Sequence, residues 1–390
     1  MMRAASAFLL TAFTLLGSRS LVAEPPSATV TVKNPIELNR PSETVVLNAA
    51  ELRRTLAVDD VRKIHVRDDA GKELLTQAVD NNDDGVFEDY IFQTDIGPNQ
   101  SKTFTLTVGE RRVPQQEDFK AYGRFVQERR EDYAWENDRI AHRMYGKELE
   151  TWPQEPLTSS GVDVWTKRAS HLIVNEWYMT DDYHHDHGDG ADMYSVGKSR
   201  GCGGNGIYLD GKLYTSANFV HSHSYANGPI RVIFELDYPE WSAGGVQVSE
   251  KKRITLDAGQ NLDRFESHYT IQGSSGGEVS HAAGIKQNPG AVQSSSADAG
   301  TLRTWEPVKA DGSQLGCAIV VAQDQLLKFA EGAGNYLAVT KLPPNGVVSY
   351  YAGFGWNKSG QFGGSEDWDR YVSDWARRVK SPLQVTISVK

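Results

Sequence analysis

Two cysteines in 390 residues, Cys202 and Cys317, are too few to build a disulfide scaffold. Whether the pair forms one bridge or two buried thiols is left open by the sequence. Positive charge is also in short supply, with 41 lysines and arginines against 51 aspartates and glutamates, a formal net charge of −10. Nucleic acid is therefore a poor partner, because its binding is dominated by phosphate neutralisation. After the N-terminus no apolar run reaches the roughly 20 residues that a spanning helix needs, so no membrane span is expected. There is no GxSxG elbow and no HExxH pair, and the glycine run "GCGGNG" lacks the lysine and serine or threonine of a P-loop. Nor do strands and helices alternate as in a dinucleotide fold.

What is present begins with an export signal. Residues 1–23 carry Arg3, an apolar run from Ala4 to Leu16 and small residues up to Ala23, the pattern of a secretory signal peptide. The mature chain is thus expected in the periplasm or outside the cell. From 24 to 110, short alternating stretches such as "TVTVKNP" and "KTFTLTV", divided by turns such as "DDAG", predict a small antiparallel β-sandwich. Residues 111–125 read as a linker.

From 126 to 390 the strand pattern resumes, among others in "DVWTKRA", "HLIVNEWYM", "IRVIFELDY", "VQVSEKKRITL" and "VVSYYAGFGW". Many such segments joined by Gly, Asn, Ser and Pro turns predict an all-β fold with a large antiparallel sandwich. One amphipathic helix is expected near the C-terminus, where Trp368, Tyr371, Val372, Trp375 and Val379 recur at helical spacing after Ser365, a candidate cap.

Two stretches carry candidate chemistry. In "HSHSY", residues two apart share a strand face, so His221, His223 and Tyr225 form a titratable row suited to acid–base work or to a metal. Neighbouring strands alternate in the same way, with Arg231, Glu235 and His268 on charged faces. The second stretch, "YHHDHGDGADMYSVGKSRGCGG" at 183–204, has glycines that let the backbone approach a ligand closely, and Lys198 and Arg200 as cations. His184, His185, His187, Asp186, Asp189 and Asp192 could hold a divalent metal, although no established ligand spacing is present. Asp80, Asn82 and Asp84 in "DNNDDG" match the opening of a calcium loop, but Ile91 stands where the closing glutamate belongs, and a solvated turn is the favoured reading.

The segments "YAWENDRIAHRMYG" (133–146), "GVDVWTKR" (161–168), "YYAGFGW" (350–356) and the long His/Asp/Gly stretch resemble a DUF4861-like family of exported bacterial proteins that travels with polysaccharide-degradation systems. The resemblance implies a galactose-mutarotase-like supersandwich from about residue 125. It also implies an oligosaccharide dehydratase that leaves a 4,5-unsaturated uronic acid in ulvan-type degradation, acting on an acidic oligosaccharide. For that chemistry Arg200 is the expected partner of the uronate carboxylate. His187, His221, His223, Tyr194 and Tyr225 are the candidate acids and bases, with Trp177 and Tyr183 as a stacking platform. His184, His185, Lys198, Arg231, Glu235 and His268 complete the expected substrate contacts. A metal-dependent glycan hydrolase or esterase and a non-catalytic glycan-binding protein are the competing readings. All of them require residues 183–204 and the histidine row to face one basin.

Overall fold

A computed structural model describes residues 26–389; the expected signal peptide lies outside the described residues. The fold is all-β and antiparallel throughout its named sheets. Three α-helices interrupt it among the described residues: Ala49–Thr55, Val174–Thr180 and Ser365–Lys380.

The N-terminal module is a sandwich of two sheets. One orders the strands Gln384–Val389, Ser27–Lys33, Ser101–Val108 and Ile64–Arg67, and the other orders Arg40–Asn48, Asp89–Ile96 and Thr76–Val79. Alternation in "SATVTVK" turns Ala28, Val30 and Val32 inward, where they meet Phe104, Leu106, Tyr90 and Phe92 in one core. The chain's last strand leaves the large domain and pairs with the first, Val30 opposite Ile387 and Val32 opposite Val385. The N-terminal sandwich is therefore completed by residues that sequence order assigns to the large domain.

In the large domain an eight-stranded sheet packs against two five-stranded sheets, and one continuous cluster of buried side chains draws on all three. The eight-stranded sheet is built on the long strands Arg231–Ala243, Val246–Asp257 and Leu262–Gly273, with Val347–Trp356 next in order. Their inner faces carry Val232, Phe234, Leu236, Ile254, Leu256, Phe265 and Tyr350, and their outer faces alternate in charge. The C-terminal helix buries Trp368 and Val372 against this sheet's strands Thr301–Pro307 and Gln314–Val320. Ser365 is the first helical residue, not its cap; Gly364 holds that place without a side-chain bond.

One segment departs from the expected strand pattern. "HLIVNEWYM" contributes the helix Val174–Thr180 because the buried Glu136 carboxylate accepts from the backbone N–H groups of Ile173 and Val174, at 2.8 and 2.7 Å. The same carboxylate pairs with buried Lys167 at 2.6 Å. A tertiary partner for the free helix N–H groups outweighs the local preference of β-branched residues for strand.

The outer face of the eight-stranded sheet receives the N-terminal module. Gln77 bridges them, donating to the Arg231 carbonyl at 3.0 Å and accepting from the N–H groups of Ile230 and Arg231 at 2.8 Å. Val79, Ile91, Ile230 and Ile233 form a small apolar seam at the same junction.

Candidate functional site

The edge strand His221–Asn227 pairs with Arg231–Ala243 so that His221 lies opposite Asp237 and His223 opposite Glu235. The register continues across the sheet. Glu235 faces Arg253, Arg253 faces Glu266 and Glu266 faces Ser349, while Asp237 faces Lys251 and Lys251 faces His268. Two parallel rows of alternating charge thus cross the outer face. Opposite charges directly across a strand pair stabilise it, and Lys251 Nζ lies 3.4 Å from Glu235 and 3.2 Å from Asp237.

A cavity of about 330 Å³ sits over the edge of these rows, lined by His221, His223, Tyr225, Glu235, Asp237 and Lys251, and by Asn82 and Asp83 of the N-terminal module. His223 Nε2 lies 3.1 Å from Asp83 Oδ2. A β-bulge between Ser224 and Ala226 places Tyr225 out of register. Its ring stands edge-on to the His223 imidazole with centroids 4.6 Å apart, and the Arg253 guanidinium lies 4.4 Å over it. Partial burial, and then the negative charge of Glu235, raise the Tyr225 phenol above its ordinary value. Arg253 also donates to the Asn81 carbonyl, so one arginine ties the calcium-like turn to the tyrosine.

Beyond this cavity the groove between the modules widens to about 580 Å³, bordered by Arg231, Arg253, Arg264, Glu266, Tyr351 and Trp375. Arg231, predicted as a substrate contact, is held as a fork by Asp257 at 2.5 and 2.8 Å. His268, on the same face, pairs with Glu266 at 3.0 Å.

The turn itself is organised by its own backbone. Asp80 accepts from the N–H groups of Asn82, Asp83 and Gly85 at 3.2, 2.7 and 2.8 Å, and Asn82 bonds to Asp84. Asp80 and Asp84, with Glu88 in place of the predicted Asn82, are a set of three carboxylates with oxygens within 4.8 Å of one another.

The long stretch from 183 to 204 lies elsewhere. Its hydrogen bonds run to the strands Asp163–Lys167 and Ala141–Tyr145 and to Arg168, and none of its residues lines the histidine cavity. The single basin expected from sequence is not formed. Its glycines serve close packing: Gly190 has φ +114° and a Cβ there would come within 1.9 Å of the Thr166 carbonyl, while Gly201 has φ +60° and would clash with that of Val162 at 2.0 Å. Asp192 is buried and paired with Arg143 at 2.8 Å, and Asp186 grips Arg168 at 2.5 Å. His185 and His187 are exposed and share Asp182, at 2.5 and 2.9 Å, and His184 lies 3.2 Å from the Asp192 carbonyl. Of the acids expected to bind metal, Asp186 and Asp192 are thus engaged by arginines of the fold, and Asp189 contributes its backbone carbonyl to the Arg168 N–H. Lys198 is exposed.

Three further expectations are corrected. Arg200 is 3 % exposed. It donates to Ser160 and Ser159 at 3.0 Å inside the large sandwich, where burial brings its pKa down to about 10. Trp177 and Tyr183 are buried against Trp165, with ring centroids 5.5 and 4.9 Å away, and stack within the core instead of offering a platform. Tyr194 lines a different cavity, with Lys286 and Glu306. Cys202 and Cys317 are buried free thiols.

Sequence reasoning missed Asp83 and Arg253. Asp83 lies in a turn read only for calcium, and Arg253 is masked by the basic run "EKKR", where only alternation shows that Lys251 and Arg253 share the outer face while Lys252 turns inward.

No helix among the described residues is long and apolar enough to cross a membrane. Over 93 % of its length the chain superposes on an alpha-mannosidase from Enterococcus faecalis V583, with TM-score 0.54 and 9 % identity, covering 46 % of that chain. It matches similarly an Enterococcus faecalis protein of glycosyl hydrolase family 38, with TM-score 0.54 and 10 % identity, covering 93 % of this chain and 47 % of that one. The chain therefore spans about half the length of these solved structures, and the likeness is one of fold. In sequence it is 34 % identical over 374 residues to "Uncharacterized protein P7" of Formosa agariphila, covering 92 % of this chain and 93 % of that protein. Residues 32–385 match the domain of unknown function DUF4861, and the chain belongs to that family.

Proposed function

We propose that this protein is an exported carbohydrate-active lyase that forms a 4,5-unsaturated uronic acid at the end of an acidic oligosaccharide. The observation that carries the reading is the cavity in which two imidazoles and the Arg253-backed Tyr225 phenol, on one exposed edge strand, meet Lys251 of the sheet beside them. The fold shared with carbohydrate-processing neighbours supports a sugar as the substrate.

Elimination beside a carboxylate needs a cation to meet charge that builds up on that carboxylate, a base for the C5 proton and an acid for the C4 oxygen. Lys251 and Arg253 supply positive charge in place of the buried Arg200. His223, held by Asp83, takes the C5 proton. The C5–H electron pair becomes the C4–C5 double bond, and the C4 oxygen leaves with a proton from His221 or Tyr225. Glu235 lies between His223 and Arg253 in the register and holds Lys251 at 3.4 Å, while the Asn81 carbonyl and the Tyr225 ring hold Arg253.

The test is incubation of purified protein with uronate-terminated oligomers of ulvan, pectin, alginate and glycosaminoglycan. Expected are ultraviolet absorbance of a double bond conjugated to a carboxylate and a product lighter by one water or one leaving group. Silence on every oligomer, or undiminished turnover in the double variant His221→Ala/His223→Ala, overturns the reading. Tight binding without turnover would favour a glycan-binding protein.

A further inference from the structure

A second cavity of about 530 Å³ opens on the large domain, away from the histidine row, and its walls include Tyr194, Lys286, Asn288, Glu306 and Lys309. Glu306 is 4 % exposed. One of its oxygens accepts from Asn288 Nδ2 at 2.6 Å, and the other, Oε2, has no hydrogen-bond partner. The Tyr194 hydroxyl is sealed from solvent and turned to the Cys317 thiol. A buried polar atom left unpaired is costly, so the free Glu306 oxygen on the wall of a cavity points to a ligand that pairs it. The Lys286 ammonium donates one of its three protons to the Ser195 carbonyl and keeps two.

We propose that this cavity is a ligand site for a small organic carboxylate about the size of one uronic acid ring, gripped by Lys286 and Lys309 and hydrogen-bonded by Glu306. Its volume falls in the range of about 300–1,000 Å³ typical of small-molecule sites. Two ammonium groups against one carboxyl disfavour a cation and leave a neutral ligand without its strongest partners. Burial raises Glu306 to about 7, while the Asn288 hydrogen bond and the charge of Lys286 work the other way. The other titratable groups around it are Lys309, Tyr194 and the thiols of Cys317 and Cys202. Near neutrality the carboxyl therefore changes between a donor that welcomes an anion and a carboxylate that repels one. Binding takes up a proton, and affinity falls as pH rises through 7.

Calorimetric titration with D-glucuronate, and with D-glucose as the neutral control, tests this at pH 6, 7 and 8. Heat belonging to this cavity is the difference between wild type and Lys286→Met, with Lys286→Gln as a second blank and thermal melting to confirm that both fold. The expected result is one glucuronate site lost in both blanks, with affinity falling by up to about tenfold between pH 7 and 8. Glu306→Gln should bind at pH 6 within a fewfold of wild type and lose the pH dependence. Equal binding of glucose, glucuronate heat that survives in both lysine variants, or no heat at all overturns the proposal. The site stands apart from the elimination chemistry: loss of this heat in Lys286→Met with unchanged double-bond formation separates the two.

Discussion

Asp83 and His223 meet across the boundary between the two modules, Oδ2 to Nε2 at 3.1 Å. Asp83 sits at φ +60°, a left-handed conformation that aspartate tolerates better than most residues. Its place is set by Asp80, whose carboxylate collects three backbone N–H groups of the turn. An N-terminal turn thus orients an imidazole on the edge of a sheet built far along the chain.

Removing a positioned acid or base costs about 10²–10⁴-fold in turnover, and His223→Ala should fall in that range with its melting temperature unchanged. Asp83→Asn keeps the turn but loses the charge that orients the ring, and should cost about tenfold in kcat with little change in KM. Asp80→Ala should reproduce the Asp83→Asn defect by releasing the turn. Steady-state kinetics of the three variants, beside their melting curves, checks the chain of positioning. Full activity in Asp80→Ala and Asp83→Asn would leave the contact without a role.

The charged rows were legible because strand alternation exposes which residues share a face. His221, His223 and Glu235 fall where the period of two puts them. What alternation cannot report is the partner across a long separation in sequence. Nothing local marks Asp83 as a neighbour of His223, or Ser159 and Ser160 as the acceptors that draw Arg200 inward. Trp177 and Tyr183 look like a sugar platform only until Trp165 is seen to lie between them. The glycine-rich stretch reads as a ligand loop because close backbone approach leaves the same trace whether the partner is a sugar or the carbonyl of Thr166. Glu306 was missed for a related reason, since Trp305 and Glu306 are both buried and the strand end shows no clean alternation.

Arg200 gives a test of structure against catalysis. It is one of two cations in an interior polar set: its guanidinium donates to the Asn205 carbonyl at 3.4 Å, Asn205 Nδ2 donates to Glu250 at 2.9 Å, and Lys252 Nζ stands 3.6 Å from Glu250. Deleting the guanidinium leaves the Lys252–Glu250 pair in place but takes the charged donor from the buried Ser159 and Ser160 hydroxyls, at a cost of about 1–3 kcal/mol. Arg200→Met should therefore unfold at markedly lower temperature or denaturant concentration, while the fraction that remains folded keeps its turnover. Wild-type stability with abolished turnover would restore Arg200 to the active centre.

Two buried groups give stability opposite dependences on pH. Burial lowers His281 to about 3 from an ordinary 6.5, so the folded state binds fewer protons than the unfolded chain between those values. Stability then falls as pH drops below about 6, by up to about 1.4 kcal/mol per pH unit, and His281→Gln should flatten that limb. Glu306 is raised to about 7 from 4.5, so the folded state holds the extra proton and the stability it contributes is lost as pH rises towards 7. Glu306→Gln should be more stable than wild type at pH 8, by about 1–3 kcal/mol, and gain little at pH 4. Denaturant titrations of both variants across pH 4–8 decide the matter, and parallel curves for wild type and variants would refute both assignments.

The C-terminal strand offers the last test, because it binds the two modules through the chain itself. Gln384–Val389 covers the edge of Ser27–Lys33, and Val385 and Ile387 lean on the N-terminal core. A chain ending at Lys380 would leave that edge strand with open N–H and C=O groups and strip the core's side. The N-terminal sandwich should then melt before the large domain, seen as a separate low-temperature transition. Because Asp83 belongs to the module that melts, turnover should fall along that first transition and not the second. Ile387→Ala, which keeps the backbone ladder, should cost only about 1 kcal/mol and leave turnover intact below its melting temperature. A truncated protein that melts in one step at the wild-type temperature would show that the returning strand is dispensable and that the turn reaches His223 without it.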